Sequence, residues 1–422
     1  MRPFINRYLT WSILCGAMMV LLTGCLHRSG GNLTSIQPSL TPTPAPTVTA
    51  SPAPSPSIVP TKLQQMTIEE KIGQLIFAGI DGYAMSQHSR ELIENYHVGG
   101  LILYKTNVKA TSQLVELVNA LKGANAGNKL PLWLGADEEG GKVTRLPDEI
   151  VKTPANQVIG KTNSKDFAYG VGSLLGQELN DYGLNVDFAP VLDVNSNPKN
   201  PVIGDRSFGA NAAIVSSMGV QTMKGIQAQQ VLPVVKHFPG HGDTSVDSHA
   251  QLPIVQNDLA RLRKLELVPF AESFKQGADA VMVAHILLPK VDAQNPSSMS
   301  KKIMTDLLRQ EMGFQGVIIT DDMTMGAILK NNEIGEAAVT SILAGANVVM
   351  VGHDYDKVVT VFDALRKAVQ EKRIPMETID QSVVRVMQLK QKYQVKDEAV
   401  RTPDIEKLNT AVQRLLSTYL HK

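Results

Sequence analysis

Eight apolar runs, most of them followed by a stretch with helical periodicity, predict an α/β fold, a TIM-like (β/α)8 barrel in a single domain. Two further observations support the barrel. Several runs are continuously apolar, as strands buried on both faces are. Runs three to seven end in titratable side chains, and in a barrel all the strand ends face one mouth. An open doubly wound sheet shares the alternation, but no Gly-rich dinucleotide fingerprint or Walker loop follows any run.

In chain order the runs are Gly73 to Ile80, Val98 to Tyr104, Leu132 to Ala136, Val186 to Leu192, Leu232 to Val235, Ala280 to Ala284, Val317 to Thr320 and Val348 to Val351. Between the second and third, Leu114, Leu117, Val118 and Leu121 fall on one helical face, and Ile379, Val383, Val386 and Met387 do so after the eighth. The barrel domain is expected over residues 62–400. A helical extension over 401–422 is expected to cap it, with no sizeable second domain behind.

Ahead of the barrel the sequence reads as an address. Arg2 and Arg7 precede an apolar run from Trp11 to Leu22, too short for a comfortable spanning helix, and Leu22-Thr23-Gly24-Cys25 follows. That tetrapeptide resembles the lipobox of bacterial lipoproteins, which implies a signal over 1–24 and a lipid anchor on Cys25; an uncleaved anchor helix is the alternative. Either way the protein is expected to be exported and held at the outer face of the cytoplasmic membrane. Residues 25–61 are rich in Ser, Thr and Pro, with prolines at 38, 42, 44, 46, 52, 54, 56 and 60. Such a segment buries too little apolar area to offset its ordering entropy and favours polyproline II, so it is expected to be a linker. Fully extended it reaches up to about 100 Å.

Composition removes several classes of function. Among 422 residues, 41 basic side chains face 40 acidic ones, for a net charge of +1, which gives nucleic acid no electrostatic footprint. The only cysteines, Cys15 and Cys25, precede the barrel, so its body holds no disulfide framework, cysteine nucleophile or cysteine metal site.

The chemistry-bearing residues sit at the run ends: Asp137 after the third, Asp193 after the fourth, Lys236 and His237 after the fifth, His285 after the sixth, Asp321 and Asp322 after the seventh. Helix capping stays open for Asp193 and Asp322 taken singly. The densest segment is KHFPGHGDTSVDSH, Lys236 to His249, with three histidines and two aspartates. There Asp247 is placed to orient His249 and stabilise its protonated form, which suits an acid/base near neutral pH. His237 and His241 have the spacing of a helical metal pair, but Pro239 and Gly240 argue against a helix, and no metal site or cofactor is expected.

KHFPGHGDTSVDSH, together with ADEEGGKVTRL (136–146), IGDRSFG (203–209) and IITDDMTMGA (318–327), resembles glycoside hydrolase family 3, and within it the NagZ-like β-N-acetylglucosaminidase branch. The resemblance spans about Lys62 to the mid-390s, with four motifs in order. It implies Asp321 as nucleophile, Asp247 and His249 as a general acid/base pair, and Asp137, Arg145, Arg206, Lys236 and His237 as contacts to the terminal sugar. It also implies a retaining exo-enzyme acting on terminal β-linked N-acetylglucosamine of peptidoglycan fragments (muropeptides); a monomer is expected. Two positions depart from the family pattern: Glu138 and Lys142 stand where Gln and Arg are common. Lysine keeps the charge but loses the bidentate fork. Two other functions stay open, a family 3 β-glucosidase or β-xylosidase and a lipoprotein that captures sugar for a transporter.

Overall fold

Each apolar run supplies one strand of a closed barrel in which every neighbouring pair is parallel, described over residues 58–420 in a computed structural model. The strands are β1 (Ile76–Gly79), β2 (Gly100–Leu103), β3 (Trp133–Ala136), β4 (Val186–Asp187), β5 (Leu232–Phe238), β6 (Ala280–Val283), β7 (Val317–Asp322) and β8 (Val348–Val351). β8 closes on β1 with Met350 opposite Phe77. The strands are buried on both faces because helices wrap the outside while alternate side chains fill the inside. Phe77, Ile102, Trp133, Val186, Leu232, Val234, Met282, Ile319 and Met350 form that inner core. Phe77 meets Phe188 edge-on at 5.2 Å.

Three strands differ from the sequence reading. β4 pauses after Asp187, because Pro190 has no N–H to give the ladder, and pairing resumes as a bridge from Val191 to Lys236. β5 runs on through Lys236 and His237 to Phe238, with a register irregularity against β6 between Val235 and Phe238. Lys236 and His237 therefore lie inside a strand rather than beyond its end. β7 likewise runs on through Asp321 and Asp322, with a register irregularity against β8 between Ile319 and Asp322.

Both predicted helices form, Thr111–Ala124 and Met376–Lys392. The second sends Val386, Leu389 and Tyr393 into the inner core, closing the barrel at the end opposite the mouth. The C-terminal helix, Ile405–Leu420, is not a barrel cap: it lies along helix Lys165–Asp181, where Tyr419 stacks on Phe167 at 4.9 Å. Asn409 on it also holds the segment after β3, accepting from the Val151 amide at 2.8 Å and donating to the Glu149 carbonyl at 2.9 Å. At the other terminus a helix, Ile58–Gln65, begins inside the expected linker. Pro60 is compatible with it because the amides of a first turn have no helical partner to lose. The expected signal, Cys25 and the linker up to residue 57 lie outside the described residues. Within them, no helix is long and apolar enough to cross a membrane.

Candidate active site

After β3 the chain turns sharply through Gly140 and Gly141, whose φ angles of 80° and 59° suit glycine, and Gly140 bridges back to Val143. This turn returns Arg145 to the strand end, where its Nη2 lies 3.2 Å from Asp137 Oδ2. Asp137 Oδ1 accepts from Lys236 Nζ at 2.7 Å, and the same ammonium reaches Glu139 Oε1 at 2.7 Å. Glu139 in turn takes a bidentate pair from Arg206, Nε at 2.8 Å and Nη2 at 2.7 Å. Alternating charges thus run Arg145, Asp137, Lys236, Glu139, Arg206 along one wall. Burial disfavours each charge, but the partners outweigh it: the carboxyls of Asp137 and Glu139 fall below their ordinary values, while Lys236 and Arg206 rise above theirs.

Asp193, fully buried, is a hub rather than a helix cap. Its Oδ2 pairs with His237 Nδ1 at 2.6 Å and its Oδ1 accepts the His241 amide at 2.6 Å. That leaves the Nε2 edge of His237 for the cavity. Asp322 is likewise structural: its carboxylate accepts from the Gly352 and Thr324 amides at 2.8 and 2.9 Å and from the Thr324 hydroxyl at 2.7 Å. His285 sits behind the strand ends, with Nδ1 2.6 Å from Ser298 Oγ and Nε2 2.9 Å from the Asp322 carbonyl.

The neighbouring Asp321 has one oxygen, Oδ1, on the Asp322 amide at 2.9 Å, which leaves Oδ2 as the free one. Burial raises its carboxyl, but the facing His285 and His237 imidazoles, that amide and His249 together hold it below the ordinary aspartate value, ionised at neutral pH. On the loop after β5, Asp247 Oδ1 accepts both the amide of His249, at 2.9 Å, and its ring Nδ1, at 2.8 Å. An ionised carboxylate only accepts, so Nδ1 carries a proton and Nε2 is the position that exchanges one.

Asp137, Arg145, Arg206, Lys236, His237, Asp247, His249 and Asp321 all line one cavity of about 490 Å³ at the C-terminal mouth of the barrel. A larger open groove, about 1190 Å³, lies on the outer helical layer and is lined by none of them. Sequence reasoning missed Glu139, which joins Lys236 to Arg206; its only signal is a second carboxylate beside Glu138 at a strand end. It also missed Tyr104 and His353, stacked at 4.6 Å and lining the same cavity.

The two departures from the family pattern have distinct consequences. Glu138 is buried and accepts the Arg145 and Leu146 amides on Oε2, at 2.8 and 3.3 Å, a task that a glutamine carbonyl performs equally. Lys142 reaches across the rim to Asp205 at 2.7 Å, with over half of its side chain exposed.

A parallel barrel whose mouth gathers an ionised aspartate, a carboxylate-held histidine and a wall of paired charges has the makings of a barrel glycosidase. Residues 67–389 match the glycosyl hydrolase family 3 N terminal domain, and the chain belongs to that family. It is 38% identical over 326 residues to Beta-hexosaminidase A of Pseudoalteromonas piscicida, covering 72% of this chain and 54% of the relative. It is 33% identical to Beta-hexosaminidase LpqI of Mycobacterium tuberculosis over 90% of this chain and 97% of that one. Among solved structures, a family 3 β-N-acetylglucosaminidase from Paenibacillus sp. str. FPU-7 superposes with a TM-score of 0.80 at 40% identity, covering 84% of this chain and 69% of the other. The chain thus spans only about half the length of the Pseudoalteromonas relative.

Proposed function

We propose that this protein is a retaining exo-β-N-acetylglucosaminidase that removes non-reducing terminal N-acetylglucosamine from peptidoglycan fragments. The observation that carries the reading is the convergence of Asp321 and the Asp247–His249 pair on the same cavity as the charged wall from Arg145 to Arg206. The names of the relatives, beta-hexosaminidases and a β-N-acetylglucosaminidase, agree with it.

The steps follow from the residue chemistry. Asp137, Arg145, Arg206, Lys236 and His237 present fixed donors and acceptors that orient the hydroxyl and N-acetyl groups of the sugar. Asp321 Oδ2 attacks the anomeric carbon while His249 Nε2–H protonates the departing oxygen, and Asp247 stabilises the imidazolium before that transfer. Neutral Nε2 then takes a proton from the water that releases the sugar with its configuration retained. A histidine acid avoids setting a second anionic carboxyl beside the nucleophile.

Export, a lipid anchor at Cys25, a linker from there up to the helix that starts at Ile58 and a monomeric catalytic domain belong to the same proposal; they would carry the mouth into a polymer layer outside the membrane. The test is turnover by the full chain of p-nitrophenyl β-N-acetylglucosaminide, the matching β-glucoside and an N-acetylglucosaminyl-N-acetylmuramic acid disaccharide. Turnover of the N-acetyl substrates is expected, with the β-anomer as first product by NMR and kcat at least about 10³-fold lower in Asp321→Asn. Binding without turnover in wild type and Asp321→Asn alike would instead mark a sugar-capturing lipoprotein.

A further inference from the structure

The loop that carries His249 has an internal anchor in His241, a buried imidazole with no chemical role in the steps above. Its ring spans two hydroxyls of the same loop, with Nδ1 2.8 Å from Thr244 Oγ1 and Nε2 3.1 Å from Ser248 Oγ. Donor accounting fixes the tautomer. Thr244 gives its one hydroxyl hydrogen to the His241 carbonyl at 3.0 Å, so its oxygen must accept from Nδ1–H. Burial, reinforced by His237 nearby, pulls the ring down to about 4, so at neutral pH Nε2 is a lone pair that accepts from the Ser248 hydroxyl.

Ser248 is the residue between Asp247 and His249. On the other side of the segment, the Ser248 and His249 carbonyls accept from the Ala327 and Gly326 amides, both at 3.1 Å, just beyond the strand that carries Asp321. That approach is close enough that a Cβ at position 326 would come within 2.7 Å of the His249 carbonyl oxygen. The His249 side chain itself is 68% exposed and held at Nδ1 by Asp247. Its direction therefore depends on how the backbone of 247–249 is pinned, from Gly326–Ala327 on one side and from the His241 ring on the other.

We propose that His241 is a positioning residue for the acid/base pair, setting through Ser248 where the His249 ring stands relative to Asp321. The proposal rests on the reading of Asp247 and His249 as that pair. A neutral imidazole suits the task because it donates from one edge and accepts at the other, bridging hydroxyls three and seven residues further along a loop that must turn between them.

The test uses a leaving-group contrast in the full-length protein. 2,4-Dinitrophenolate departs with little protonation, whereas the sugar alkoxide of a β-1,4-linked N-acetylglucosamine disaccharide needs a proton from a well-placed acid. In Ser248→Ala and His241→Ala, kcat/KM on the disaccharide is expected to fall by about 10- to 100-fold, and on the dinitrophenyl glycoside by less than about 3-fold. Azide, which attacks the glycosyl-enzyme without needing a base, is expected to restore kcat on the dinitrophenyl substrate. Equal losses on both substrates would mean a merely structural role. An unchanged Ser248→Ala enzyme overturns the proposal whether or not His241→Ala folds. If His249→Ala itself lacks the contrast, the acid/base reading fails, and that failure is separate from any result at His241.

Discussion

Two lysines, Lys236 and Lys390, are sealed from solvent at opposite ends of the same barrel. Lys236 stands at the mouth between two carboxylates, each 2.7 Å from its Nζ, and its pKa rises despite burial. Lys390 stands at the closed end, where Nζ meets only neutral acceptors, Gln74 Oε1 and the Gly99 carbonyl, both at 2.8 Å, and lies 5.0 Å from the Trp133 ring centroid. Burial there pulls its pKa down to about 7, and the two acceptors match the two hydrogens of a neutral amine. Desolvation penalises both lysines; what separates them is direct contact with anions, because two carboxylates touch Lys236 whereas Asp397 acts on Lys390 only without a salt-bridge contact and does not offset its burial. The mouth keeps its charges because they are paired with one another and stay poised for a polar ligand. The closed end is organised for packing and tolerates a lysine only by weakening its charge.

The sharpest test of this contrast is Lys236→Met, which leaves buried Glu139 and half-buried Asp137 as neighbours without the cation between them. Breaking a buried ion pair costs about 3–5 kcal/mol of stability, and kcat/KM is expected to fall by about 10²- to 10³-fold; denaturant midpoints and initial rates measure the two losses. A variant with wild-type stability would show that the mouth charges do not depend on one another.

Lys390→Met should leave kcat unchanged and alter stability with a defined pH signature. Because the folded-state pKa lies below the unfolded one, the unfolded chain binds more protons between about pH 7 and 10, so wild-type stability rises across that window and is flat with respect to this group below it. The rise is on the order of 2–4 kcal/mol. Urea midpoints at pH 7 and 9.5 should therefore converge in Lys390→Met, and a persistent wild-type slope would place its source elsewhere.

The smallest expected effect is at Lys142, whose pair with Asp205 is exposed at the rim. Lys142→Ala should change stability by no more than about 0.5 kcal/mol by thermal melts, because solvent screens such pairs. A larger loss would extend the ordered charge network beyond the buried wall.

The fold was legible because parallel barrel strands are buried on both faces and so write themselves as uninterrupted apolar runs, such as Val348 to Val351, which coincides with β8. The strand ends were less legible. Lys236 and His237 look like a terminus because they are polar, yet β5 carries them inside the barrel, where Asp137, Glu139 and Asp193 satisfy them. β4 looked longer than it is, because periodicity does not register the amide that Pro190 lacks. The C-terminal helix was evident, but not its place along helix Lys165–Asp181.

Local order along the chain determined the eight-fold alternation, the turn through Gly140 and Gly141, and the two-residue spacing by which Asp247 holds His249. These depend on neighbours in sequence, and the residue types alone specify them. Only the closed barrel decided that Glu139 would link Lys236 to Arg206, that Asp193 would serve one histidine of another strand and a second on the loop after it, and that one buried lysine would keep its charge while another has its charge weakened. Those outcomes depend on which groups meet after folding from distant positions, and on whether water is excluded where they meet, and neither is written in local sequence.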